Sequence, residues 1–205
     1  MAYEISSHGY AQRARSRLDE GTNEALFYAA FELRAGVQTR LNQYLENQDN
    51  ISRKAKEGYR IEPLAKMVEK AFRTGNKVIK VTMRPDDEEA VPDVFYFTPV
   101  SPSLKKKAEK LGNYLHAMQR LRTDNDPWWK TTRRFLEETY AELVEANRGE
   151  LVGPPLRNRE NGTVHIYWQG PSIAEKPPRY IGKSYVGTQM VFEVEYLDRH
   201  PDAKK

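Results

Sequence analysis

The chain has 205 residues, 39% hydrophobic and 30% charged, with a formal net charge of +4. That length suits one hydrophobic core, or one core with an appendage, and 12 Tyr, 7 Phe and 3 Trp make it too aromatic for a disordered chain. The absence of cysteine excludes disulfides, thiolate nucleophiles and Cys-liganded metals. No apolar leader opens the sequence and no window approaches the roughly 18 apolar residues of a membrane span, so a cytoplasmic protein without membrane contact is expected.

Residues 10–20 read as a short helix with Tyr10, Ala11, Ala14 and Leu18 on one side. Gly21 breaks it, and Thr22 or Asn23 can cap a long helix reaching about Asn47. Leu26, Ala30, Leu33, Val37, Leu41 and Tyr44 recur at helical period along it. Phe27 and Phe31 widen the stripe, which predicts a central helix buried on more than one side. Glu32 and Arg34 lie within it; they could orient His116, and an ion pair that fixes helix packing is the favoured reading of both. Ser52 can cap a polar helical turn. Pro63 suits the first turn of a helix carrying Leu64, Met67, Val68, Ala71 and Phe72, ended by Thr74-Gly75-Asn76 with the glycine left-handed.

The period then changes. Residues 77–83 and 94–97 are β-branched and aromatic, and the acidic, proline-marked stretch between them predicts a hairpin with an exposed tip. Asp86, Asp87, Glu88 and Glu89 are adjacent rather than spaced as metal ligands, so a solvated loop is expected and no metal site. Ser101 and Pro102 open a helix as cap and first residue. Its stripe of Leu104, Ala108, Leu111, Leu115 and Met118 predicts that it runs to about Arg122. Asp126-Pro127 opens the next helix in the same way. Trp129, Leu136, Tyr140 and Leu143 share a face of it, and Asn147-Arg148-Gly149 stops it. Beyond, proline-rich loops surround two alternating stretches, 163–169 and 188–197, that read as strands.

The architecture expected is α+β: a helical bundle of four to five helices over 1–149, with a hairpin insertion at 77–100, and a C-terminal antiparallel β element over 150–205.

Chemistry is sparse. Gly182-Lys183-Ser184 lacks the glycine five residues earlier that a phosphate loop needs. Among four histidines, His8 and His200 lie near the ends and read as solvated, and His165 falls on the polar side of its strand. No cofactor is implied. Residues 105–134 hold nine Lys/Arg against three acids, and residues 135–150 five Glu against one Arg. Lys105, Lys106, Arg120, Arg122, Lys130, Arg133 and Arg134 are candidate phosphate contacts, and Trp128 a candidate for base stacking. A solvated helix face explains the cations as well, and Trp129 on its apolar stripe reads as core. His116 stands in the apolar run 111–117, "LGNYLHA". On a continuing helix Asn113 lies one turn before it, so His116 is a candidate general base oriented by a neighbouring amide; a packed histidine bonded to a neighbouring carbonyl or to Glu32 is the favoured alternative. Gly112 would let another helix approach.

The long stretch "ALFYAAFELRAGVQTRL", followed by "KLGNYLHA" on a later helix, resembles HEPN-like helical domains over about residues 10–147. The resemblance implies association with RNA or nucleotides, often in microbial defence or mobile-element systems, and commonly a homodimer. Members with RNase activity carry an arginine four to six positions before a histidine on a late helix and need no metal. His116 matches that histidine. Lys110 stands six positions earlier, in the arginine's place, and lysine lacks the planar fork of a guanidinium. In a cleaving version His116 would act as base, Lys110 would stabilise phosphate charge and Asn113 would position the ribose. A degenerate RNase fits the same residues, and so does a non-catalytic homo-oligomeric interaction protein.

Overall fold

In the computed structural model the described residues are 4–46, 52, 60–85, 91–116, 122–157, 164–166 and 190–203. The chain forms two compact units, Met1–Arg73 with Val100–Asn147, and Thr74–Pro99 with Arg148–Lys205. The first is helical and the second carries the strands, so the class is α+β as expected.

The helical unit contains α1 (Ser7–Asp19), α2 (Asn23–Glu46), α3 (Ile61–Phe72), α4 (Pro102–Leu111), a 3-10 turn (Gly112–Leu115) and α5 (Pro127–Ala146). α2 is central and packs on α1, α3, α4 and α5. The stripe predicted on it is the buried one: Leu26, Ala30, Leu33, Val37, Leu41 and Tyr44 are each at most 2% exposed. Phe31 differs from expectation. It is 50% exposed, because it lies on the side of α2 away from that stripe.

Side chains fix the helix starts. The Ser6 hydroxyl accepts from Gly9 N–H, Thr22 from Ala25 N–H, Ser101 from Leu104 N–H and the Asp126 carboxylate from Trp128 N–H. Each replaces a partner that the first turn of a helix lacks. At the end of α3, Arg73 rather than glycine takes the left-handed conformation first (φ 53°), and Gly75 follows at φ 59°.

Buried polar groups tie the helices together. Arg13 of α1 pairs with Glu32 of α2 at 2.9 Å, so the packing ion pair of Glu32 is made across helices and not with Arg34. The Ser7 hydroxyl lies 2.9 Å from the Gly36 carbonyl and 2.7 Å from the Asn147 amide. Gly36 is where α1 and α5 close on α2: a Cβ there would stand 2.8 Å from Leu143 Cδ2 and 3.2 Å from Tyr10 Cβ.

In the second unit, β1 (Val78–Pro85), β2 (Asp93–Phe97) and β5 (Met190–Leu197) form one antiparallel sheet of order β2-β1-β5, and β3 (Leu156–Arg157) pairs with β4 (Val164–His165). The hairpin expected as an insertion therefore shares a sheet with the C-terminal strand. Ile79 pairs with Phe97 and Tyr196, and Val81 with Phe95 and Val194. That face is buried on β1 and β2, whereas Val194 and Tyr196 are 42% and 63% exposed. The other face carries the cross-strand pairs Lys80–Glu195 (2.6 Å) and Arg84–Glu193 (3.8 Å). His200, expected to be solvated, is buried instead, its ring 4.4 Å from that of Tyr96. The hairpin tip with Asp86–Glu89 and the turn after Ser52 lie outside the described residues, as do 167–189.

Candidate nucleic-acid interface

The helix expected to reach Arg122 ends at Leu111. Gly112 and Asn113 are weak helix formers. The N–H of Gly112 is shared between the carbonyls of Glu109 and Lys110, the tightening that turns an α-helix into a 3-10 turn. After the turn, His116 is extended (φ −95°, ψ 156°) and exposed. Asn113 and His116 therefore do not occupy neighbouring turns of one helix, and Leu115, expected in the core, is 42% exposed.

What the turn positions is Tyr114. Its ring stacks on Phe135 with centroids 5.8 Å apart and planes 18° apart, and lies 5.7 Å from Trp128. Trp128 and Phe135 are seven residues apart on α5, hence on one face and about 10.5 Å apart along the axis. Tyr114 fills the gap between them. Trp128 also meets Trp129 edge-on at 4.9 Å, and Phe27 of α2 lies 6.4 Å from Trp128 and 5.9 Å from Trp129. Cations flank both ends. Lys110 Nζ sits 4.8 Å over Phe135, and Arg122 Cζ sits 4.3 Å over Trp128. Arg122 also pairs with the capping carboxylate Asp126 at 3.1 Å. The Trp128 N–H, then Arg122, hold the pKa of Asp126 below its ordinary value.

The rest of the basic block divides between faces. Lys105 and Lys106 line a groove against α3. Lys107 bridges α4 to Glu138 and Glu142 of α5. Arg133 does not face solvent freely: its guanidinium donates to the Leu18 carbonyl at 2.8 Å and so closes the last turn of α1. Trp129, expected in the core, is half-buried, with its indole N–H donating to the Thr123 carbonyl at 2.9 Å. Lys130 and Arg134, one turn apart on α5, are exposed. Arg120 lies outside the described residues.

Lys110, Asn113 and His116 are not joined by a hydrogen bond among the described residues. Lys110 is engaged over a ring, and Asn113 and His116 face solvent. α2 does approach Gly112, as anticipated: Arg34 Nε lies 3.9 Å from where a Cβ would stand, so alanine would also fit. Among the described residues no cluster of three or more His, Asp or Glu could hold a metal ion, and no helix is long and apolar enough to cross a membrane.

Sequence reasoning missed Tyr114, and it read Phe27 and Phe31 as part of the buried stripe. The signal for Tyr114 was an aromatic directly after the helix-weakening pair Gly112-Asn113. Phe27, Phe31 and Arg34 step by four and three along α2, so Phe31 falls on the side of α2 that carries Phe27, and it is 50% exposed. Comparison of the chain with protein-family models, with curated proteins and with solved structures finds no match.

Proposed function

We propose that the helical unit is HEPN-like and binds single-stranded RNA on the face formed by Phe31, the Tyr114 turn and the N-terminal half of α5. The observation that carries this reading is the row of rings Phe27, Trp129, Trp128, Tyr114 and Phe135 flanked by Lys110 and Arg122, with Phe31 half-exposed one turn beyond Phe27 on α2. A base can stack on an exposed ring whatever its identity. Lys130 and Arg134 supply phosphate contacts beside it. The inner rings spend their faces on one another and on Arg122 and Lys110, and they hold the platform rigid.

The reading is of binding. Cleavage asks for a base within reach of a ribose hydroxyl and a cation on its phosphate, and Lys110, the cation of that version, lies over the Phe135 ring. His116, exposed two residues after Tyr114, is the candidate base among the described residues.

The test is fluorescence anisotropy with a labelled, unstructured RNA 20-mer. Phe31→Ala should weaken binding by about tenfold, the loss of one stacked base, with an unchanged melting temperature. Wild-type affinity retained in Phe31→Ala would reject the site. Product formation that requires His116 would restore the cleaving version.

A second reading has its own observation. Tyr28 (60% exposed) and Phe31 (50%) lie one turn apart on α2 and form an apolar patch that fits a second copy of the chain. Analytical ultracentrifugation decides it: a dimer that Phe31→Glu dissociates supports self-association, and a monomer at all concentrations removes it.

A further inference from the structure

α3 and α4 enclose a groove of about 500 Å³, a volume in the range of small-molecule sites. A helix about 10 Å across would fill it with little more than one turn, so the space suits a chain molecule and not a helical segment. Ile61 and Ala65 lie at its floor, closely packed, with Ala65 the more accessible of the two at 7%. One end is closed by the Glu62 N–H donating to Glu109 Oε1 at 2.7 Å, where α4 caps the start of α3. The Glu62 side chain is in turn taken by Lys66 at 2.7 Å. Those charges are satisfied within the protein.

Lys105 is different. It is half-buried beside the groove and has no hydrogen bond or ion pair within 4.0 Å among the described residues; Glu69 acts on it only at longer range. Burial pushes its pKa below the ordinary lysine value, and Glu69, which lines the same groove, opposes that only in part. Lys106 lines the same stretch of wall.

We infer that this groove binds an apolar molecule bearing one carboxylate, of the size of a medium-chain fatty acid, with the tail on Ile61 and Ala65 and the carboxylate on Lys105. The apolar floor favours the tail by removing it from water. A carboxylate on a half-buried ammonium forms a charge-assisted hydrogen bond in a poorly solvated place. The site is separate from the aromatic face and does not depend on the RNA reading.

The experiment titrates the full chain with decanoate labelled with 13C at its carboxyl carbon and follows the bound carboxyl resonance by NMR. The expected result is a saturable bound signal that decanol does not displace. Lys105→Met, which keeps the stem and removes the charge, should weaken binding about tenfold or more. Ala65→Phe, which fills the floor, should do the same. Lys70→Met, on α3 away from the groove, should bind as wild type. No bound signal up to about 1 mM, displacement by decanol at equal concentration, or undiminished binding by Lys105→Met each overturns the proposal. Should Ala65→Phe fail to fold, the Lys105→Met and decanol results decide. The RNA 20-mer should not displace decanoate, and displacement would merge the two sites and overturn their separation.

Discussion

Arg40 Nε donates to the Tyr44 hydroxyl at 2.9 Å, one turn along α2, and both side chains are fully buried. The same nitrogen lies 3.1 Å from the Ala146 carbonyl at the end of α5, and the guanidinium sits 4.8 Å over the Tyr44 ring. A buried guanidinium is tolerated only where its N–H groups find acceptors. Arg40 therefore serves the last turn of α5 and the middle of the unit at once. Arg40→Met should destabilise the protein by about 3 kcal/mol, because it removes the buried guanidinium that the Tyr44 hydroxyl and the Ala146 carbonyl share. Tyr44→Phe should cost about 1 kcal/mol, since Arg40 keeps the carbonyl. Urea denaturation measures both, and the reverse ranking would remove Arg40 from the centre of this arrangement.

His8 stands next to the same cation. Although His8 keeps an exposed edge, the partial desolvation of its ring first, then Arg40, lower its pKa from 6.5; the Asn147 carbonyl and Glu4 oppose them. A lowered histidine pKa means the folded protein resists protonation more than the unfolded chain does. Its contribution to stability is present above about pH 6.5 and is lost as pH falls through the folded value. Stability should therefore decline on acidification from about pH 6.5, before the capping carboxylates titrate. In His8→Gln that part of the decline should disappear. Parallel pH profiles for the two proteins would show that His8 does not contribute.

Two glycines separate a soft contact from a hard one. A Cβ on Gly149 would stand 2.6 Å from Thr98 N and 2.7 Å from the Tyr96 carbonyl oxygen, both backbone atoms that cannot swing aside. On Gly36 the nearest atom is a leucine methyl, at 2.8 Å. Alanine also favours helix by about 1 kcal/mol over glycine, which offsets part of the clash at Gly36. Gly149→Ala should lower the melting temperature sharply, at a cost of about 3 kcal/mol, and Gly36→Ala should cost about 1 kcal/mol. Thermal melts of the two variants test the order.

Tyr114 and His116 should separate stability from chemistry. Tyr114→Ala removes the ring between Phe135 and Trp128 and should destabilise the helical unit by about 2 kcal/mol. His116→Ala, at an exposed position on extended backbone, should stay within about 0.5 kcal/mol of wild type. A large loss of stability in His116→Ala would mean that the histidine is a packing group.

If Lys130 and Arg134 contact phosphate, each alanine variant should weaken RNA binding about equally across sequences and reduce the slope of log affinity against log salt by about 1. Unchanged slopes would place the RNA elsewhere.

The sequence by itself determined most of the helices and the longer strands. The period of the α2 stripe, the caps Ser101 and Asp126 with the prolines behind them, and the alternation of β1 and β5 are local signals, and local backbone chemistry acts on them directly. The tertiary structure decided which side chains meet. Nothing in the order of residues says that Arg13 would take Glu32, that β5 would join the hairpin at β1, or that three lysines in a row would divide between a groove and α5. The stretch 111–117 shows why. Its apolar spacing reads as continuing helix, but Gly112 and Asn113 resist helix only weakly, and the outcome rests on Tyr114 docking between Trp128 and Phe135, partners 14 and 21 residues away. Contacts at that range depend on the path of the chain between them, and only the folded packing fixes that path.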